Sequence, residues 1–355
     1  MRMMSSRSNG SNSFNNKGDI AVVDFGKFFG FKPHLKEMDL PAGIYYPHFD
    51  PDLGLLLHPM DKDGERNQTF SQLVQDRRGA TDLLHEITDH AEGPRASMAT
   101  EFFNAGNDVS YFPMEEYNPG LEQAHNSLIR FLSNKEFYQT RNLDYKRGVL
   151  LYGEPGSGKT RYLDQFSQRL VVDYDAIIIR IENADSLKSF LTGLIHVYKA
   201  TKGRMMMIVI EELSLVASNR ELHLNLLSLL DSSFFKENVI FLMTTNNPEN
   251  IPANLIDRPS RIDDLLEVKA VDNKPEFIPD WYEHITGEKF PESARDANWL
   301  EEARKECSAA YLRELFLYAM LNEVELAEAW QHIKERKRII KENFKESGNK
   351  VGFAS

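Results

Sequence analysis

Five short runs, Gly148–Tyr152, Ala176–Ile181, Met205–Ile210, Val239–Thr245 and Asp264–Val268, are apolar along most of their length and are separated by stretches of helical periodicity. A run without polar alternation suits a parallel strand covered on both faces. Strands that alternate with helices predict a doubly wound α/β sheet, here of five parallel strands. Just upstream, Leu121, Ala124, Leu128, Phe131 and Leu132 recur at helical spacing and predict an amphipathic helix over Asn118–Glu136.

The flanks read differently. From Asn273 onward the pattern is helical, and a continuous stretch runs from Ala309 to about Lys345. It predicts a helical lid over residues 271–346 that ends in one long C-terminal helix. Before the alternating region, Ile20–Phe25, Gly43–Phe49 and Gly54–His58 are strand-like and are punctuated by Pro and Gly. Phe70–His90 follows with Leu73, Val74, Leu83, Leu84 and Ile87 as apolar positions of a helix. The expectation for residues 19–118 is a small α+β N-terminal domain. The layout is completed by a Ser- and Asn-rich tail at 1–18, which has too little apolar surface to order itself, a core at 119–270 and a tail at 347–355.

Chemistry enters where the first apolar run ends. Gly153-Glu154-Pro155-Gly156-Ser157-Gly158-Lys159-Thr160 fits the pattern G-x-x-x-x-G-K-S/T, with a strand before it and a helix after it. Glycines let the backbone wrap so that its N–H groups face phosphate oxygens, and the helix N-terminus adds its positive dipole end. In such a P-loop the lysine, here Lys159, reaches the β- and γ-phosphates and the hydroxyl, here Thr160, serves Mg²⁺. The candidate ATP-binding residues are therefore Gly153 to Thr160, together with Arg161.

Met205–Ile210 ends in Glu211 and Glu212. Carboxylates at the C-terminal edge of a parallel strand face the ligand crevice. Glu211 is assigned to the metal and Glu212 to the attacking water. Val239–Thr245 ends in Asn246, placed to orient that water. Arg258 and Arg261, in Asp257-Arg258-Pro259-Ser260-Arg261-Ile262-Asp263, are candidates for fingers acting on a neighbouring copy's nucleotide, since a planar, permanently charged guanidinium suits a developing phosphoryl charge.

Other features carry less. Asp61-Lys62-Asp63-Gly64-Glu65 lacks a complete calcium-ligand pattern and reads as a polar turn. His85 and His90 do not share a helical face, so they are no metal pair. The basic run Lys334–Lys345 complements a helix C-terminus. Arg313 falls early in a lid helix, where it either meets a phosphate or is solvated. The single cysteine, Cys307, cannot form a disulfide within the chain and reads as a small apolar residue. A formal net charge of −12 argues against bulk binding to nucleic acid. With no apolar run near the ~20 residues of a membrane span and no signal-peptide pattern at the N-terminus, the expectation is a cytoplasmic protein that makes no membrane contact.

The order of phosphate loop, acidic strand, Thr244-Thr245-Asn246 and Arg258-Pro259-Ser260-Arg261-Ile262-Asp263 resembles the AAA subgroup of AAA+ ATPases. Within it, Ile129–Tyr138, Tyr145–Gly153 and Leu226–Asp231 resemble the branch of mitochondrial translocases that move the folded Rieske iron–sulfur protein. The resemblance spans about Leu121–Val268. It implies a homo-oligomeric ring, hexameric or heptameric, that couples Mg²⁺-dependent ATP turnover to remodelling or translocation of a protein client, with residues 19–118 as the client-binding part. Three departures stand out: Glu211 replaces the usual Asp, Ser260 replaces the usual Gly, and only Phe190-Leu191 stands where a pore loop would be sought. Two alternatives stay open, an ATP-gated assembly switch with slow hydrolysis and a DNA-handling ATPase of the loader or transposition-helper kind.

Overall fold

The computed structural model of the protein describes residues 42–50, 54–60, 72–76, 111–181, 186–188, 190–191, 197–198, 201, 203–214, 220–231, 235, 237–257, 261–271, 273–295 and 298–343. The expected strand Ile20–Phe25, both tails, the turn at Asp61–Glu65 and most of Phe70–His90 lie outside them.

The strands are β1 (Gly43–Asp50), β2 (Gly54–Pro59), β3 (Gln72–Asp76), β4 (Lys146–Tyr152), β5 (Ile177–Ile181), β6 (Met206–Ile210), β7 (Val239–Thr245) and β8 (Asp264–Glu267). They form one eight-stranded sheet in the order β3-β2-β1-β5-β6-β7-β4-β8. The five strands expected from the apolar runs, β5-β6-β7-β4-β8, are all present and all parallel. Every residue of β6 and β7 is buried, as strands covered on both faces must be.

Side chains alternate across this sheet. Val149, Leu151, Ile178, Met207, Val209, Ile240 and Leu242 join one core; Leu150, Ile177, Ile179, Met206, Ile208, Phe241 and Met243 join the other. Helix α2 (Pro119–Ser133, after the short α1, Met114–Tyr117, and before α3, Lys135–Thr140) and α4 (Lys159–Tyr174) cover the first face. Helix α5 (Arg220–Asp231) contributes Leu222, Leu226, Leu229 and Leu230 to the second core.

Helix α2 starts where the chain chemistry starts it. Asn118 accepts hydrogen bonds from the Gly120 and Leu121 amides, and Pro119 occupies the first helical position. The Asn118 side-chain amide also donates to the Lys269 carbonyl, at 2.8 Å. This ties the helix start to the chain just beyond β8.

The N-terminal expectation needs correcting. β1 pairs parallel with β5, and β2 and β3 follow it antiparallel, so these strands extend the one sheet rather than build a sheet of their own. The backbone groups on the outer edge of β5 need a ladder partner, and β1 supplies it. Within the expected helix Phe70–His90, Gln72–Asp76 is strand β3, because it can pair with the otherwise open edge of β2.

Helix α6 (Ala253–Ile256) precedes β8 and puts Leu255 into the second core. The lid holds α7 (Phe277–Thr286), α8 (Glu292–Arg295), α9 (Asn298–Glu306), α10 (Ala309–Asn322) and α11 (Leu326–Asn343). The single long C-terminal helix is in fact α10 and α11. Glu323 adopts a left-handed conformation (φ 53°) and its amide bonds back to Ala319 and Met320, which closes α10. Trp281, Phe316, Trp330 and Ile333 are buried in the lid and are continuous with the first core of the sheet. Cys307 is buried there too, and burial pushes its thiol up to about 11. Among the described residues no helix is long and apolar enough to cross a membrane.

One contact fixes how α2 meets the sheet. A Cβ on Gly120 would stand 2.0 Å from the Glu267 carbonyl oxygen, in backbone that cannot swing aside. Alanine favours helix by about 1 kcal/mol, whereas forced overpacking costs about 1–3 kcal/mol or more. Gly120→Ala is therefore expected to lower the denaturant midpoint at unchanged slope, which chemical unfolding measures; an equal or higher midpoint contradicts this packing.

Candidate active site

The pairing register brings the chemistry to one edge. Tyr152 of β4 pairs with Thr245 of β7, and Ile210 of β6 pairs with Met243 of β7. The residues that follow, Gly153, Glu211 and Asn246, therefore emerge together at the C-terminal end of the parallel strands, where α/β sheets bind ligands.

The loop after β4 takes its shape from glycines where other residues would collide. Gly153 (φ 148°) passes so close to the Val268 carbonyl that a Cβ would stand 2.2 Å from its oxygen. Gly158 (φ 99°) is the N-cap of α4, and a Cβ there would stand 2.6 Å from the Met114 methyl carbon. The cavity at this edge measures about 310 Å³, the size of a small-molecule site, and is lined by the loop, Glu212, Thr244, Asn246 and, from the lid, Trp281, Ala310 and Arg313.

Lys159 lies at its centre, 6% exposed. Its ammonium donates to the carbonyls of Gly153 (2.7 Å) and Glu154 (3.0 Å), to Ser157 Oγ (3.2 Å) and to Asn246 Oδ1 (2.8 Å). Four acceptors share three protons. Burial lowers its pKa to about 8, although the Glu212 and Glu154 carboxylates work the other way.

Asn246 also donates from Nδ2 to Glu212 Oε1, and its backbone amide lies 3.4 Å from Glu212 Oε2. One asparagine thus links the lysine to the carboxylate assigned to water. Glu212 itself is left-handed (φ 48°), a conformation that costs an ordinary residue about 1–2 kcal/mol. Such strain concentrates at functional positions.

Thr160 Oγ1 donates to Glu211 Oε2 at 3.1 Å. Two hard oxygens beside a phosphate loop are the donor set that Mg²⁺ takes, with water and phosphate completing its shell. The residues present therefore fit that ion. Among the described residues no cluster of three or more His, Cys, Asp or Glu could hold a metal by itself. His85 and His90 lie outside the described residues.

Arg161 faces the lid. Its guanidinium donates to His284 Nε2 at 2.9 Å and lies 4.8 Å from the centre of the Trp281 ring. Burial first, and Arg161 second, lower the His284 pKa, so the ring is held neutral as an acceptor. Trp281 in turn donates to the Ala309 carbonyl at the start of α10. Arg313, exposed, lines the same cavity.

The two arginines expected to act on a neighbouring copy stand differently. Arg258 lies outside the described residues. Arg261 is 4% exposed and donates to the Asn254 carbonyl of its own chain, away from the loop. Phe190 is fully buried in the second core and presents nothing to a pore.

Sequence reasoning missed Met114 of α1 and Trp281 and His284 of the lid. Trp281 and His284 were signalled only by membership of the helical lid region, and Met114 fell in the part expected as the N-terminal domain. The same reasoning missed Arg180 of β5, whose guanidinium donates to Glu211 and to Asp164.

The lysine sets a pH test. In the folded protein its pKa is depressed, so charged Lys159 costs stability below about pH 8, and the cost is relieved as pH rises from there toward the ordinary lysine value. Polyphosphate held by the loop would bring negative charge beside it and restore the proton. Calorimetric titration of ATP in buffers of different ionisation enthalpy is expected to show uptake approaching one proton at about pH 9 and little from this group at about pH 7. Heats independent of buffer at both values contradict it.

Comparison with known proteins agrees with this geometry. Residues 149–270 match the family described as ATPase family associated with various cellular activities (AAA). The chain is 31% identical over 218 residues to a protein named "Probable mitochondrial chaperone bcs1" from Schizosaccharomyces pombe, covering 58% of this chain and 45% of the relative. It is 26% identical over 155 residues to "Probable mitochondrial chaperone BCS1-A" from Dictyostelium discoideum, covering 39% and 35%. It is 27% identical over 160 residues to "Proteasome-activating nucleotidase" from Methanocaldococcus jannaschii, covering 40% and 36%. The chain thus spans less than half the length of these curated relatives. The phosphate loop, the acidic pair and the polar strand end all fall inside the matched region, and the chain carries an AAA ATPase domain.

Proposed function

We propose that the protein hydrolyses ATP with Mg²⁺ and uses the turnover, in a homo-oligomeric ring, to remodel or translocate a protein client. The observation that carries this reading is the bridge made by Asn246, which bonds Lys159 through Oδ1 and Glu212 through Nδ2. A triphosphate bound by the loop would lie against Lys159, and a water held between Asn246 and Glu212 would face its terminal phosphorus. Glu212 then accepts the water's proton as it attacks, and Asn246 orients it.

Thr160 and Glu211 would hold Mg²⁺, which when bound neutralises charge on the phosphates. Lys159 and the loop amides bind and orient them. Arg161, in contact with the lid through Trp281 and His284, links occupancy of the loop to the position of the lid.

The ring, hexameric or heptameric, and the client follow from the resemblance to the AAA subgroup and are supported by relatives named as chaperones and as a proteasome-activating nucleotidase. Arg261 is buried against its own chain, so of the two trans arginines the finger role falls to Arg258. Residues 19–118 remain the proposed client-binding part, with β1–β3 anchoring them to the sheet.

Glu212→Gln keeps the loop and the size of the side chain but removes the base. It is expected to bind ATP like the wild type and to lose turnover by about a hundredfold or more. Steady-state phosphate release, with affinity capture of partners by the ATP-loaded variant, tests both halves. A wild type that releases phosphate no faster than the variant contradicts hydrolysis as the working step and favours the ATP-gated switch.

A further inference from the structure

Arg180 is a charge on a buried strand. On β5, Ile177, Ile179 and Ile181 face the second core, while Ile178 faces the first, beneath α4. Arg180 therefore points to the α4 side, at the end of the strand nearest the phosphate loop. Its side chain is 12% exposed.

Its guanidinium does not spread evenly over the acids around it. Nε (3.0 Å) and Nη2 (2.5 Å) both donate to Oε1 of Glu211, and Nη1 donates to Asp164, one helical turn beyond Thr160. Oε2 of Glu211 is left for Thr160 Oγ1. Two oxygens of one carboxylate thus have separate duties: one is held by the arginine, the other stands with the hydroxyl assigned to the metal.

A glutamate needs this more than an aspartate would. It has one more rotatable bond, and a free carboxylate at that reach can swing or bind a cation through both oxygens. The fork of a guanidinium fixes a carboxylate in a way that a rotating ammonium does not. Arg180 also offsets one of the two negative charges, Glu211 and Asp164, that would otherwise both draw a divalent ion toward α4.

The geometry points to Arg180 as a positioning residue that selects Oε2 of Glu211 for the nucleotide-bound metal and keeps the ion away from Asp164. This rests on the proposed Mg²⁺–ATP reading of the site. Without Arg180 the metal binds as tightly or more tightly, but in the wrong place.

The test separates charge from geometry. Mn²⁺ affinity is measured by electron paramagnetic resonance on the full chain with ATP, and turnover is measured beside it. Arg180→Gln is expected to bind Mn²⁺ at least as tightly as the wild type while kcat falls about tenfold to a hundredfold, the scale of a displaced reacting group. Arg180→Lys keeps the charge but not the fork; it is expected to fold, to match wild-type Mn²⁺ affinity and still to turn over slowly. Unchanged kcat in both variants overturns the proposal, and so does weakened Mn²⁺ binding in Arg180→Gln or full rescue of kcat by lysine. ATP binding in chelator is a separate arm. If the wild type fails there, the nucleotide reading falls and the proposal with it; if it binds, the outcome rests on Arg180 alone.

Discussion

An ammonium group buried at the end of a glycine loop is the constraint around which the rest of this site is arranged. Removing a lysine from water is costly unless its charge is solvated by the protein. Here two backbone carbonyls, a serine hydroxyl and an asparagine side chain do so. Burial still lowers the pKa, so the lysine retains a drive toward further negative charge. A polyphosphate satisfies that drive. Phosphate oxygens would compete with these acceptors for the protons of Lys159.

Placing that lysine requires the whole sheet. The loop reverses tightly after β4 because Gly153 lies against the Val268 backbone, and Gly158 caps α4 in a left-handed conformation (φ 99°) that favours glycine. The β4–β7–β6 register then sets Asn246 and the acidic pair at the same edge. The lid closes the far side through Trp281 and the start of α10. The lid's apolar residues are continuous with the core beneath α2 and α4, so lid and loop rest on the same packed layer.

The parallel sheet and the glycine loop were legible because their signals are local. Gly153–Thr160 is one unbroken segment, and each parallel strand announces itself as an apolar run. What escaped depends on pairings that no local pattern records. β1 joins β5 from far upstream, so its strands looked like a domain of their own. The break between α10 and α11 falls at Glu323, where neither Gly nor Pro marks the left-handed turn. Arg180 meets Glu211 only because β5 and β6 lie side by side. Trp281 and His284 reach the site through the folding of the lid, and Arg261 looked displayed although its side chain turns inward to Asn254. Glu211, noted in the sequence as a departure from the usual Asp, is accommodated in the structure by a specific partner.

The central claim is that Lys159 and its loop form a triphosphate site. Direct calorimetric titration of ATP into the wild type and into Lys159→Met tests it most plainly. The wild type is expected to bind at one site per chain, and the variant to bind about a hundredfold more weakly, the scale of losing charge-assisted hydrogen bonds to phosphate. Equal affinity in the two proteins, or no binding to the wild type at any concentration, would contradict the account.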